Sequence, residues 1–492
     1  MARCIMVQGT MSGVGKSLLC AALCRILKQD GLRVAPFKSQ NMALNSYVTR
    51  DGLEMGRAQV MQAQAAGVEP DVRMNPILLK PCSDIGSQVI VNGEVLGQMS
   101  AVDYFRYKPR LIPEILTAYN SLACDFDVIV IEGAGSPAEI NLKENDIVNM
   151  GLARLVDAPV LLAGDIDRGG VFAQLYGTTA LLEPGERERI KGLIINKFRG
   201  DVEILRPGLT ALEEKTGLSV LGVVPWLRVD VDDEDSLAPS LKQTTPHKPL
   251  DAAVVRLPHI SNFTDFAPLE AHPVIGVRYV QRPDELGRPD LLILPGTKST
   301  IGDLLWLRQS GLETVVKRQS ANGTPVLGIC GGYQMLGRTL SDPEGTEGDG
   351  PQTLRGLGLL PVDTVFEARK VRAQVQGTIL APAFAGAIVD GYEIHTGRTT
   401  VQGTPFCQLD NGQLDGCVSG NTYGTYLHGL FDSGEATEAL IRLLCKRKEL
   451  DYVGPTPLDR KTYLDRQYNL LANSVRSALD MNAIYRILEE GA

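Results

Sequence analysis

Cys330 stands in Pro325-Val326-Leu327-Gly328-Ile329-Cys330-Gly331-Gly332-Tyr333-Gln334, an apolar run that ends in a glycine-flanked turn. The Gly-x-Cys-x-Gly spacing is a thiol version of the nucleophile elbow, a sharp strand-to-helix turn that lifts the reactive atom clear of the sheet. A helix N-terminus favours the thiolate form of a cysteine placed there, and backbone N–H groups around such a turn can hold an oxyanion. Gly331 supplies one such N–H. Gly296, in Leu294-Pro295-Gly296-Thr297-Lys298-Ser299, supplies a second from another turn that follows a strand. A cysteine at a strand end is more often buried and inert than catalytic, so the reading needs a base. The chain has five histidines, at 247, 259, 272, 395 and 428. His428, in Tyr423-Gly424-Thr425-Tyr426-Leu427-His428-Gly429, follows a strand-like run and precedes glycine. It can therefore sit at a strand end beside the elbow and take the thiol proton.

A second constellation opens the chain. A strand-like run leads into Gly9-Thr10-Met11-Ser12-Gly13-Val14-Gly15-Lys16-Ser17, followed by a helical pattern. Gly9, Gly13 and Gly15 free backbone N–H groups to face phosphate, and the helix start adds a favourable dipole. Lys16 would reach the outer phosphates and the Ser17 hydroxyl would bind Mg²⁺. Five residues separate Gly9 from Gly15, one more than in the common P-loop. Glu132, at a strand end before Gly133-Ala134-Gly135, would bind Mg²⁺ or order its waters, and Asp165 is a further candidate. Asn196 and Lys197, after another strand, would contact the base.

The two ends resemble two known groups. The lengthened loop, with Glu132-Gly133-Ala134-Gly135 and Asn196-Lys197, resembles the dethiobiotin synthetase group, which implies ATP-dependent activation of a carboxylate. The segments Gly328–Gln334 and Leu294–Thr297 resemble class I glutamine amidotransferase domains. Many of these carry Glu two residues after the histidine, where this chain has Leu430. Either another group orients His428, or Cys330 and His428 act as a dyad. A glutaminase supplies ammonia and a carboxylate kinase supplies an acyl phosphate; amidation needs both.

Longer segments carry a resemblance over nearly the full length. Phe37-Lys38-Ser39-Gln40-Asn41-Met42-Ala43-Leu44-Asn45-Ser46, the stretch 256–266 and Gly391-Tyr392-Glu393-Ile394-His395-Thr396-Gly397-Arg398-Thr399 are similar to the cobyric acid synthase family of cobalamin biosynthesis. That resemblance implies amidation of the b, d, e and g carboxylates of adenosylcobyrinic a,c-diamide, a corrinoid, with glutamine, ATP and Mg²⁺. It assigns substrate handling to Gln40, Asn41, Asn45, His395 and Arg398. The sister enzyme, cobyrinic a,c-diamide synthase, is expected to carry a Gly-Pro-Asp-type segment in place of Gln40-Asn41-Met42. Amidation of another carboxylate is the near alternative. A regulatory P-loop ATPase with an inactive glutaminase-like scaffold is the distant one, and such a scaffold has no need of Cys330 or His428.

These residues need a frame. Apolar runs at 4–8, 33–37, 128–132, 160–164, 193–196 and 220–224 predict strands covered on both faces, with helices at 16–29 and 55–66 between them. Runs at 252–257, 274–279, 291–294 and 326–329 predict a second series, and antiparallel pieces follow from about 356. The fold class is α/β: a P-loop, doubly wound, mostly parallel sheet, then a flavodoxin-like glutamine amidotransferase domain. The expected domains are 1–235, a linker at 236–250, 251–445, and a helical extension at 446–492. Residues 341–355 read as a surface loop.

The 492 residues exceed one core. A net charge of −9 without basic runs argues against nucleic acid as partner. Nine cysteines without metal-ligand spacing indicate neither a disulfide framework nor a zinc site. No apolar stretch has membrane-spanning length and no signal peptide is evident, so the expected location is cytoplasmic. Oligomeric state is not legible.

Overall fold

Val128–Glu132 is buried at every position, as a strand covered on both faces must be. It is one of six parallel strands in the first sheet of the computed structural model, which describes residues 2–83, 86–231, 248–347, 350–382, 384, 386–452, 454 and 459–492. Arg3–Gly9 lies between Val128–Glu132 and Val160–Asp165, parallel to both. Val34–Phe37 extends one side of the sheet; Ile190–Phe198 and then Val220–Pro225 extend the other. The register sets Val7 beside Glu132, so the glycine loop and Glu132 leave the same end of neighbouring strands. That is where an open α/β sheet binds its ligands. All six strands coincide with the apolar runs read from the sequence.

The helix Lys16–Gln29 buries Leu19, Cys20, Leu23, Ile26 and Leu27 on this sheet. Leu464, Tyr468, Leu471, Val475, Ile484 and Leu488, from the C-terminal helices, complete the same core. Each buried side chain of this kind is worth about 1.5–3 kcal/mol. The chain divides into two units. The first gathers Met1–Ala43, Glu54–Val231 and Leu464–Ala492, and the second gathers Leu44–Leu53 and Asp232–Tyr463. The C-terminal stretch read as a helical extension is thus helical over Arg460–Ala478 and Met481–Glu490, and from Leu464 it is grouped with the first unit. Most of the expected linker, with His247, lies outside the described residues. The first unit also holds a four-stranded sheet of Gln40–Met42, Ile77–Ser83, Gly86–Val91 and Glu94–Ser100, which no periodicity announced.

In the second unit, Leu250–Val255, Ile275–Val280, Leu291–Leu294, Val326–Ile329 and Thr422–Thr425 form a parallel sheet, with Cys417–Ser419 antiparallel at its edge. Two long strands, Val362–Ile379 and Ile388–Val401, pair antiparallel in a second sheet. The stretch 341–355 differs from a plain loop. Thr339–Asp342 and Gln352–Arg355 pair antiparallel, because Leu340 and Leu354 pack inward at matched positions. Among the described residues no helix is long and apolar enough to cross a membrane.

Candidate active sites

Val326–Ile329 runs straight into the helix Gly331–Leu336, leaving Cys330 to make the turn with φ 50° and ψ −108°. Positive φ at a non-glycine residue is strained, and here it aims a side chain that an ordinary strand end would bury differently. Cys330 Sγ donates to the Ile394 carbonyl at 3.5 Å, so the long strand Ile388–Val401 walls the thiol. The neighbouring strand Thr422–Thr425 ends just before His428, and the Cys330 sulfur helps to raise the imidazole pKa. The turn at Gly296 closes against the base: a Cβ there would stand 3.0 Å from His428 Cε1 and press on the ring.

The group that orients His428 is Asp265. Its Oδ2 lies 2.7 Å from His428 Nδ1, its Oδ1 accepts from Gly429 N at 3.0 Å, and both side chains are almost fully buried. Burial alone would pull the imidazole down. The charge and hydrogen bond of Asp265, with the Cys330 sulfur, push it up to about 10. His428 therefore holds a proton across the neutral range. Asp265 comes from the short helix Phe263–Phe266, distant in sequence from Leu430, whose side chain is buried. The sequence left open whether another group orients His428 or Cys330 and His428 act as a dyad, and did not single out Asp265. The signal was a lone acid in the turn Phe263-Thr264-Asp265-Phe266, set between two aromatic residues.

The remaining described histidines are engaged elsewhere. His259 pairs with Asp303 at 2.8 Å, and His272 Nε2 lies 3.3 Å from the Tyr452 hydroxyl. His395 stacks on Tyr426 at 3.7 Å with Nδ1 on the Gly397 carbonyl, and burial pulls it down to about 4. Gln334, beneath the elbow, accepts from Thr300 Oγ1 and donates to the Tyr426 hydroxyl.

Asp265→Asn is expected to slow glutamine hydrolysis by roughly 10–100-fold. The amide still orients the ring, as in Cys-His-Asn sites, but its charge is gone. Asp265 holds the protonated imidazole, so its loss lowers the His428 pKa, and the alkaline limb of the pH–rate profile should move to lower pH. An unmoved limb and an unchanged rate would exclude Asp265 from the set.

At the other site, Gly15 has φ 96° and caps the helix Lys16–Gln29; a Cβ on it would meet Asn196 Nδ2 at 2.4 Å. Asn196 Nδ2 donates to the Val14 carbonyl at 2.7 Å and Lys197 Nζ to the Gly13 carbonyl at 2.5 Å. The two residues thus brace the loop. Lys16 Nζ donates to the Met11 and Gly135 carbonyls at 3.2 and 3.1 Å. Ser17 Oγ donates to Glu132 Oε1 at 2.8 Å. Lys38 lies on the same oxygen at 3.0 Å, and Gln62 and Gln59 donate to Oε2. Asp165 has different partners, Lys197 at 2.9 Å and Arg168 at 3.9 Å. Among the described residues no cluster of three His, Cys, Asp or Glu side chains could hold a metal by itself.

The residues read as substrate-handling divide between the two units. Gln40 accepts from the Tyr104 hydroxyl at 2.6 Å and Asn41 Nδ2 donates to Gln59 at 3.3 Å, both in the first unit. Asn45 is fully buried, Arg398 is exposed on the long strand, and with His395 they belong to the second unit.

Comparison with known proteins adds to this geometry. Residues 5–236 match a CobQ/CobB/MinD/ParA nucleotide binding domain, and 251–436 match a CobB/CobQ-like glutamine amidotransferase domain. The chain is 55% identical to a cobyric acid synthase of Lachnoclostridium phytofermentans over the whole of both chains. It is 54% identical to the cobyric acid synthases of Ruminiclostridium cellulolyticum and Citrobacter koseri, across 100% of this chain and 98% and 99% of theirs.

Proposed function

The chain belongs to the cobyric acid synthase family, and from that membership we propose that it amidates the b, d, e and g carboxylates of adenosylcobyrinic a,c-diamide with ATP and glutamine. The observation that carries the reading is the buried His428–Asp265 pair acting with Cys330, at its strand-to-helix turn, in a chain that also holds a P-loop. Neither half alone makes an amide.

In the second unit, Cys330 Sγ, its proton passed to His428, adds to the side-chain amide carbon of glutamine. The N–H groups of Gly296 and Gly331 take the developing oxyanion. His428, held by Asp265, gives its proton to the departing nitrogen, and ammonia leaves a thioester. Water then adds to the thioester with His428 as base, and glutamate leaves as the thiol is restored. In the first unit, the backbone around Gly9, Gly13 and Gly15 cradles the nucleotide phosphates and Lys16 turns onto the outer ones. The substrate carboxylate attacks the γ-phosphorus, giving an acyl phosphate and ADP. Ammonia adds to that carbonyl, and phosphate departs to leave the amide.

The Ser17 hydroxyl and the Glu132 carboxylate, 2.8 Å apart, are hard oxygens that would hold Mg²⁺. Bound there, the ion would neutralise charge on the β- and γ-phosphates. Lys38, on the same carboxylate, is placed to meet an anionic substrate group. Asn196 and Lys197 keep their assignment to the nucleotide, and Asp165 fits better as the fixed partner of Lys197 than as a second metal ligand. Gln40 and Asn41 are carried as corrinoid contacts; His395 belongs to the glutaminase wall.

Mass spectrometry of corrinoid products after incubation of adenosylcobyrinic a,c-diamide with ATP, Mg²⁺ and glutamine tests the reading. Four successive replacements of OH by NH₂ are expected, each requiring ATP. An unaltered diamide, or products amidated only at other positions, would sink it.

A further inference from the structure

The imidazole of His428 has a second neighbour besides Asp265. The ring of Tyr392 stacks on it, centroids 5.3 Å apart and planes 22° from parallel. The two residues also exchange backbone hydrogen bonds, His428 N to Tyr392 O at 2.9 Å and Tyr392 N to His428 O at 3.1 Å. Backbone pairing fixes the Cα positions but leaves ring rotation free. Asp265 fixes one edge of the imidazole and Tyr392 fixes its face.

Tyr392 is itself held from an unexpected part of the chain. Its hydroxyl donates to the Ser46 carbonyl at 3.2 Å and accepts from Asn262 Nδ2 at 3.0 Å. Asn262 Oδ1 in turn accepts from Ser46 N at 3.4 Å. Tyr47 meets the Tyr392 ring edge-on at 5.3 Å, Val48 packs with Tyr392 and Ile394, and Gln374 donates to the Val48 carbonyl. Ser46, Tyr47 and Val48 belong to Leu44–Leu53, the piece of the N-terminal chain grouped with the second unit. It follows Gln40–Met42 of the first unit with one residue, Ala43, between. Asn262 and Asp265 lie on one turn, so a single short stretch carries both the acid and one anchor of the tyrosine.

We propose that Tyr392 is a positioning residue for the glutaminase step and that the segment Leu44–Leu53, by holding its hydroxyl, keeps the His428 ring in register with Cys330. The buried Tyr392 hydroxyl needs an acceptor, and unseating the segment removes Ser46 O from Tyr392 and Ser46 N from Asn262 together. The ring then loses the support that defines its plane. Ammonia is wasted unless an acyl phosphate awaits it. A glutaminase base that depends on chain leading directly from Gln40 and Asn41 would bring hydrolysis under the control of the segment next to the proposed corrinoid contacts. This rests on the function proposed above.

The test uses the full chain with Tyr392→Phe and Tyr392→Leu, measuring glutamate release and ammonia-supported amidation. Phenylalanine keeps the stacked ring and deletes the hydroxyl links to Ser46 and Asn262. We expect its kcat for glutamine hydrolysis to fall about tenfold, the equivalent of one hydrogen bond, with KM for glutamine little changed. Leucine removes the stack as well and should fall further, so that phenylalanine is a partial rescue of leucine. Ammonia-supported amidation should stay at the unaltered rate in both. Equal hydrolysis in all three proteins would overturn the proposal. So would parallel loss of both activities, which marks a merely structural residue. If the unaltered chain releases no glutamate under synthetic conditions, the function reading fails and the proposal with it.

Discussion

Cys330→Ala is expected to abolish glutamine-supported amidation while ammonia-supported amidation, assayed with ammonium salt at mildly alkaline pH, continues near the unaltered rate. The mechanism offers no substitute nucleophile. Removing the nucleophile of a catalytic set costs on the order of 10⁶ in kcat where it has been measured in other enzymes. The substitution is also clean. Alanine keeps the Cβ, so the positive-φ turn at residue 330 is no more strained than before, and the sulfur's one described donation, to Ile394 O, is weak. His428 keeps Asp265 and Tyr392. Loss of the ammonia-supported reaction as well would refute separate chemistry at the two sites.

Lys16→Ala should remove amidation from both nitrogen sources, by about 10³-fold or more, because activation of the carboxylate precedes either. Lys16 is buried at the mouth of the glycine loop, tied to two backbone carbonyls that would yield to phosphate. Its ammonium is the charge that follows the γ-phosphoryl group; Lys38, the other buried cation here, is engaged by Glu132. Alanine cannot supply that charge, and water is a poor substitute in a desolvated site. Glutamine hydrolysis by the same variant is the control for folding and should persist. Ammonia-driven turnover surviving in Lys16→Ala would remove the nucleotide assignment.

The sequence carried local information well. Val128–Glu132 and Val326–Ile329 read as strands because both faces are covered, which forces unbroken apolar runs. Cys330 was legible because its glycines and the apolar run before it are all local. His428 was legible because it follows a strand and only five histidines compete. Asp265 was not, since its partnership with His428 spans 163 positions and comes from a turn rather than a regular element. The same limit hid Leu44–Leu53: nothing in Asn45-Ser46-Tyr47-Val48 says that its backbone holds Tyr392. The C-terminal helices read as helices, but helical periodicity names no partner, and they pack on the sheet begun by the first strand. His395 was read as a substrate residue from the family resemblance of its segment; its stacking on Tyr426 was not legible, since Tyr426 follows a different strand.

The central claim is that nitrogen released at Cys330 becomes the amide of a carboxylate activated at Lys16. Amide-labelled nitrogen-15 glutamine, supplied with ATP, Mg²⁺, the corrinoid diamide and an excess of unlabelled ammonium at neutral pH, tests it directly. The account predicts labelled nitrogen in all four new amides of the product, none in the product of Cys330→Ala, and no product from Lys16→Ala. New amides carrying only unlabelled nitrogen in the unaltered protein, or labelled amides formed without ATP, would contradict it.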